Sequence, residues 1–283
     1  MLTVTHIADL RARLQAWRQQ GLRIGFVPTM GNLHNGHLSL IDEARRRADR
    51  IVSSVFVNPL QFGPTEDFDR YPRTPVEDAR LLESTACDLL FLPTVEEMYP
   101  EGRDQATRVF VRGISDTLCG AVRPGHFEGV ATVVAKLFGI VQPDVAVFGE
   151  KDFQQFTILK RMTQDLSLPI EIVGAPTVRA PDGLAMSSRN RYLGEEERAI
   201  APRLHAALVV ARSRVEAGDA DRVAIEDEGL AALRDAGMRP DYFAVRDART
   251  LEVPLADAKD LVILAAARLG KARLIDNLRA TRA

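Results

Sequence analysis

Two histidines three residues apart open the chemical reading of this chain: His34 and His37, in the run Pro28-Thr29-Met30-Gly31-Asn32-Leu33-His34-Asn35-Gly36-His37. Three uses fit that spacing: packed structural imidazoles, metal ligands, or donors to a phosphate. A zinc site needs a third and usually a fourth protein ligand. His6, His126, His205, Cys87 and Cys119 are scattered singly, so no metal site is expected. Gly31 and Gly36 let a ligand approach the main chain closely, and a helix starting here would offer free N–H groups to an anion.

Four more segments carry groups of the same chemical kind. Phe148-Gly149-Glu150-Lys151-Asp152 puts a lysine at the mouth of a helix, where its ammonium would neutralise phosphate charge. Gln155, four residues on, would share its helical face; the competing reading is a surface lysine beside a capping Asp152. Asn58 and Gln61 follow an apolar strand and offer neutral donors and acceptors suited to a hydroxy acid. The polar stretch from Pro64 to Thr74 has the length of a lid and equally of an ordinary exposed loop. Met186-Ser187-Ser188-Arg189-Asn190-Arg191 collects hydroxyls and guanidinium groups that phosphate oxygens accept, or else caps the helix that follows. Arg123 and His126 add a further candidate for holding an anion.

These groups need a scaffold, and the hydrophobic pattern supplies one. Strand-like and helix-like segments alternate through the first two thirds: strands over 23–27, 51–57, 88–93, 144–148 and 170–173, and helices over 76–85, 129–141 and 152–166. The first helix begins near Gly36 or His37 with Asn35 as its cap and Leu38, Ile41, Ala44 and Ala48 as its apolar stripe. Asp42 and Glu43 fall early in it, and Arg45, Arg46, Arg47 and Arg50 fall late, as the macrodipole favours. This alternation predicts an α/β, Rossmann-like parallel sheet with helices on both faces, whose ligands bind beyond the carboxyl ends of the strands. Near 176–188 the character changes, and Asp182-Gly183 reads as a tight turn. Helices over 195–218 and 222–236 and strands over 242–245, 261–265 and 272–276 then predict a smaller α+β domain. The expected division is 1–177 and 178–283.

Composition narrows the partners. A net charge of −2 over 283 residues supplies no global positive field for nucleic acid or an acidic membrane, so small-molecule substrates fit best. Neither a signal peptide nor a membrane span is expected at the N-terminus or elsewhere. Two cysteines in a chain of this length suit inert thiols in a reducing cytoplasm.

Taken together, the segments 28–37, 58–61 with Arg70-Tyr71-Pro72-Arg73, 149–155 and 186–190 closely resemble the pantoate–β-alanine ligase family of the nucleotidyltransferase superfamily. The resemblance implies an ATP-dependent ligase. Pantoate and ATP would give pantoyl adenylate and pyrophosphate, and β-alanine would then give pantothenate and AMP. It assigns ATP to Met30, Gly31, Asn32, Leu33, His34, Asn35, Gly36 and His37, with His34 and His37 stabilising phosphate charge and His37 as general acid. Gly149, Glu150, Lys151 and Asp152 would line the nucleotide pocket, Val178 would touch adenine, and Met186, Ser187, Ser188 and Arg189 would grip the triphosphate. Gln61 and Gln155 would hold pantoate, Gln61 also β-alanine, with Asn58 as a secondary pantoate contact. The resemblance further implies Mg²⁺ riding on the ATP phosphates, no protein-bound metal, and a homodimer. The rival readings are a nucleotidyltransferase that leaves AMP on a phosphate acceptor, a tRNA synthetase without an anticodon module, and a nucleotide-binding regulator without turnover.

Overall fold

The computed structural model describes residues 1–63, 66 and 68–283. The part of the expected lid that falls on Pro64, Thr65 and Asp67 lies outside the described residues. In chain order the elements are β1 (Leu2–Val4), α1 (Ile7–Gln19), β2 (Ile24–Thr29), α2 (Asn35–Arg45), β3 (Arg50–Val55), α3 (Pro75–Glu83), β4 (Leu89–Phe91) and α4 (Val95–Met98). Then come α5 (Cys119–Val122), α6 (His126–Val141), β5 (Val145–Gly149), α7 (Phe153–Asp165) and β6 (Glu171–Ala175). The C-terminal part adds α8 (Glu195–Ile200), α9 (Arg203–Glu216), α10 (Arg222–Asp235), β7 (Arg239–Asp247), β8 (Asp260–Leu269) and β9 (Ala272–Thr281). The chain divides into two compact units, Met1–Glu150 with Ile158–Pro176, and Lys151–Thr157 with Thr177–Ala283. The sequence instead suggests a first domain running unbroken to 177.

In the first unit the strands form one parallel sheet in the order β1-β4-β3-β2-β5-β6. Successive strand residues point to opposite faces, and Phe26 and Val27 are both fully buried, so both faces are covered as expected. The order reverses between β2 and β5, which is where a crevice opens at the carboxyl edge of such a sheet. These two strands pair only at Gly25 with Val145 and Phe26 with Ala146, and they part before Pro28. Pro28 has no N–H to donate, so the end of a ladder is where a central strand tolerates it.

The second unit packs α8, α9 and α10 on the antiparallel sheet β7-β8-β9, around Leu204, Leu208, Phe243, Ile263 and Leu274. Several sequence expectations change. The helix over 195–218 is broken, ending at Ile200 and resuming at Arg203, because Pro202 lacks the donor a continuous helix needs. Arg50 begins β3 rather than ending α2, and Leu40 is buried in α2 where the stripe named the half-buried Leu38. The edge strand β1 and helix α1 are additions to the sequence reading: β1 has three residues, and α1 buries only Leu10 and Leu14.

Candidate active site

The carboxyl end of β2 delivers the chain into a turn with left-handed backbone at Gly31 (φ 81°) and Asn32 (φ 51°), followed by α2. Most of its donors are already engaged. Gly31 N–H donates to Thr29 Oγ1 at 3.3 Å, Asn32 N–H to Asp78 Oδ2 at 3.0 Å and Leu33 N–H to Asp78 Oδ1 at 2.8 Å. His34 N–H donates to His37 Nδ1 at 3.3 Å and Gly36 N–H to His34 Nδ1 at 3.1 Å, while His37 N–H donates to the His34 carbonyl at 2.7 Å. This corrects two expectations. The helix cap is His34, not Asn35, and these backbone donors are satisfied internally instead of waiting for a phosphate.

The same bonds decide what the imidazoles present. A ring nitrogen that accepts carries no hydrogen, so each neutral ring holds its proton on Nε2. His34 and His37 cap the helix reciprocally through their δ nitrogens and carry Nε2–H donors on rings 4.1 Å apart. The structural and phosphate-donor readings of the pair are thus compatible: one nitrogen of each ring serves the helix and the other carries the ring proton.

Gln61 closes a short 3-10 turn, Pro59–Gln61, and is buried. Its amide is oriented by Asn58, whose Nδ2 donates to the Gly129 carbonyl at 3.0 Å and to Gln61 Oε1 at 3.2 Å. Asn58 Oδ1 accepts from Tyr99 Oη at 2.9 Å and from Leu60 N–H at 3.3 Å. Burial pushes the Tyr99 phenol up to about 12, which keeps it a donor. With these four bonds Asn58 is engaged on both amide groups and holds Gln61 in place. Gln61 Nε2 faces Met30 Sδ at 2.9 Å, so the residues assigned to pantoate and to ATP meet here.

Arg123 and His126 are also engaged within the unit rather than standing open to an anion. Arg123 forks onto Glu66, with Nε to Oε1 at 2.6 Å and Nη2 to Oε2 at 2.7 Å, and its Nη1 lies 2.9 Å from His126 Nε2. His126 Nδ1 lies 2.8 Å from the Gln61 carbonyl. Burial pushes the Glu66 carboxyl up, but the Arg123 hydrogen bonds and charge, helped by the Gly63 N–H, outweigh it and hold Glu66 at about 2. Both cysteines are buried and outside any disulfide, and burial raises Cys87 to about 12.

In the second unit, Lys151 sits in a 3-10 turn, Glu150–Asp152, and α7 begins only at Phe153. The α-helical spacing expected between Lys151 and Gln155 therefore does not apply. Asn277 Nδ2 donates to the Lys151 carbonyl at 3.0 Å, and a small cavity is lined by Lys151, Leu184, Ala185, Ser187, Asn190 and Asp276. Val178 and Met186 are joined by a backbone bond of 2.9 Å across a tight turn, with Gly183 at φ 91° as the Asp-Gly pair suggested. Arg179 pins this turn: its two terminal nitrogens bind the buried Asp276 carboxylate at 2.6 and 2.9 Å. Ser187 Oγ accepts from Arg189 N–H at 3.3 Å and caps the short turn Ser188–Tyr192, so the capping reading holds for this turn and not for α8. Sequence reasoning missed Asp78, Tyr99, Asp276 and Asn277. Each acts through contacts far along the chain, which no local pattern marks.

Among the described residues no cluster of three or more His, Cys, Asp or Glu is arranged to hold a metal, and no helix is long and apolar enough to cross a membrane. The sequence profile described as Pantoate-beta-alanine ligase matches residues 2–279. A pantothenate synthetase of Stutzerimonas stutzeri (strain A1501) is 57% identical over 279 residues, 98% of this chain and 97% of that one. A solved pantothenate synthetase from Thermus thermophilus superposes with a TM-score of 0.91 at 52% identity, covering 98% of this chain and 99% of that one. A solved pantoate-beta-alanine ligase from Francisella tularensis, complexed with beta-gamma ATP and beta-alanine, has a TM-score of 0.82 at 34% identity over 98% of this chain and 97% of that one. By profile, sequence and fold alike, this chain belongs to the pantoate–β-alanine ligase family.

Proposed function

We propose that this chain condenses pantoate with β-alanine to pantothenate in an ATP-dependent reaction, through pantoyl adenylate. A carboxylate is a poor electrophile, so its oxygen first attacks the α-phosphorus of ATP. The bond to the β-phosphate breaks and pyrophosphate leaves. The amine of β-alanine then attacks the acyl carbon of the adenylate, AMP departs with the bonding pair, and the amine proton passes to solvent. The observation that carries this reading is the reciprocal histidine cap at the end of β2. It holds two Nε2–H donors at the edge where the strand order reverses, in a chain of this family.

In this scheme His34 and His37 donate to the phosphate oxygens as charge builds on the departing pyrophosphate, and His37 serves as general acid. Such preorganised donors are worth most where charge develops. The rest of the run, Met30, Gly31, Asn32, Leu33, Asn35 and Gly36, shapes the ATP site around them. Gly149 and Glu150 line the nucleotide pocket, joined by Lys151 and Asp152, with Lys151 neutralising the triphosphate. Val178 contacts adenine, and Met186, Ser187, Ser188 and Arg189 take the phosphates. Gln61 and Gln155 hold pantoate, and Gln61 also holds β-alanine. Of these residues, the first unit carries the run 30–37, Gln61, Gly149 and Glu150, and the second carries Lys151, Asp152, Gln155, Val178 and the 186–189 loop.

Mg²⁺ is assigned to the ATP phosphates, since magnesium keeps waters and uses substrate phosphates rather than an all-protein cage. When bound there it would neutralise triphosphate charge. A cytoplasmic homodimer is the assembly assigned, and sedimentation of the purified chain tests it. The function itself is tested by ATP–pyrophosphate exchange. Exchange that requires pantoate, with pantothenate and AMP formed only on adding β-alanine, supports it; exchange without pantoate, or AMP retained on a phosphate acceptor, contradicts it.

A further inference from the structure

Asp78 lies in the first turn of α3 and is 1% exposed, yet no cation pairs with it among the described residues. Its two oxygens meet only donors: Asn32 N–H at 3.0 Å, Leu33 N–H at 2.8 Å and the Thr74 hydroxyl at 3.2 Å. Both oxygens act as acceptors, and three donors are spent on them. A polar group buried this deeply needs partners, and these hydrogen bonds supply them. Here two of the three come from the residues immediately before His34. Asn32 adopts left-handed backbone and both polar atoms of its buried side chain lack partners. The fit is close as well: a Cβ on Gly31 would stand 2.8 Å from Asp78 Oδ2.

We propose that Asp78 is a positioning residue for the reaction, clamping the Asn32–Leu33 backbone so that the His34–His37 pair is held with its Nε2–H groups in place. The inference rests on the function proposed above and adds to it a residue that touches no substrate. Asparagine at this position is nearly isosteric but replaces one acceptor by an NH₂ that faces a backbone N–H. One of the two clamped amides must then let go. Displacing a reacting group by about 1 Å lowers turnover by about 10²-fold, and the effect falls on kcat rather than on the KM for pantoate because Gln61 and Gln155 are outside the clamp.

The experiment compares the wild-type chain with Asp78→Asn and with the milder Thr74→Val, which removes one donor and leaves the carboxylate. Three quantities are read: pantoate-dependent exchange, thermal midpoint, and the ¹⁵N shifts of the histidine imidazoles. The expected result is a kcat loss of about 10²-fold in Asp78→Asn with the KM for pantoate nearly unchanged. Thr74→Val should show a smaller loss of the same kind. The His34 and His37 signals should move off the Nε2–H pattern in Asp78→Asn, in step with activity. Unchanged histidine signals with a lowered thermal midpoint, or a loss confined to KM, would overturn the proposal and leave Asp78 a purely structural residue. If Asp78→Asn does not fold, wild-type kcat and histidine signals in Thr74→Val would overturn it equally. Failure of the wild-type chain to show pantoate-dependent exchange would count against the proposed function, while the histidine signals would still decide for or against the clamp.

Discussion

His34 carries two duties on two nitrogens, and substitution can separate them. Nδ1 accepts the Gly36 N–H as a helix cap, and Nε2 carries the ring proton. Removing a side-chain cap costs about 1 kcal/mol, whereas asparagine is itself a good cap. We predict that His34→Ala loses roughly that much in urea denaturation, that His34→Asn recovers most of it, and that both lose pyrophosphate release alike. Recovery of activity in His34→Asn would show that the cap, not the second nitrogen, is what the reaction needs. The sequence displayed the two imidazoles and the turn glycines plainly. It did not display that the motif consumes its own backbone donors, because that depends on Asp78, 44 positions beyond His34 in the chain and in α3.

At the scale of elements, the 3-10 turn bearing Gln61 is held against α6. Gly129 has no room for a side chain, since a Cβ there would meet the Leu60 carbonyl oxygen at 2.2 Å and the Gln61 nitrogen at 2.6 Å. Gly129→Ala should therefore displace Gln61 and raise the KM for pantoate; an unchanged KM would detach this packing from substrate binding. The Glu66–Arg123 pair makes a separate prediction about acid. Glu66 lies near 2 in the fold against an ordinary 4.5, so its contribution to stability is present above about pH 4.5 and fades as pH falls toward 2. We predict that the gap in urea midpoint between wild type and Glu66→Gln narrows from about pH 6 to about pH 3. A gap that stays constant would contradict the pairing. Most strands and helices were legible from hydrophobic period alone, to within a few residues at their ends. The exceptions have physical causes: β1 is too short to show a period, α1 buries too narrow a stripe, and Pro202 divides what composition presents as one helix.

For the molecule as a whole, the fold class and family were legible because the chemistry-bearing segments sit at strand ends, where local sequence marks them. The grouping of Lys151–Thr157 with the C-terminal unit was not, since it accompanies a bond from Asn277, more than a hundred residues away. The proposed mechanism assigns His34, His37 and Lys151 to breakage of the same phosphoanhydride. Groups that act as a unit on one transition state are strongly non-additive when removed together. The decisive measurement is the single-turnover rate of pyrophosphate release with saturating ATP and pantoate in His37→Ala, Lys151→Ala and the double variant. The proposed mechanism predicts a fall of about 10²–10³-fold in each single variant and a double-variant loss smaller than their product; near wild-type release in the single variants would contradict it.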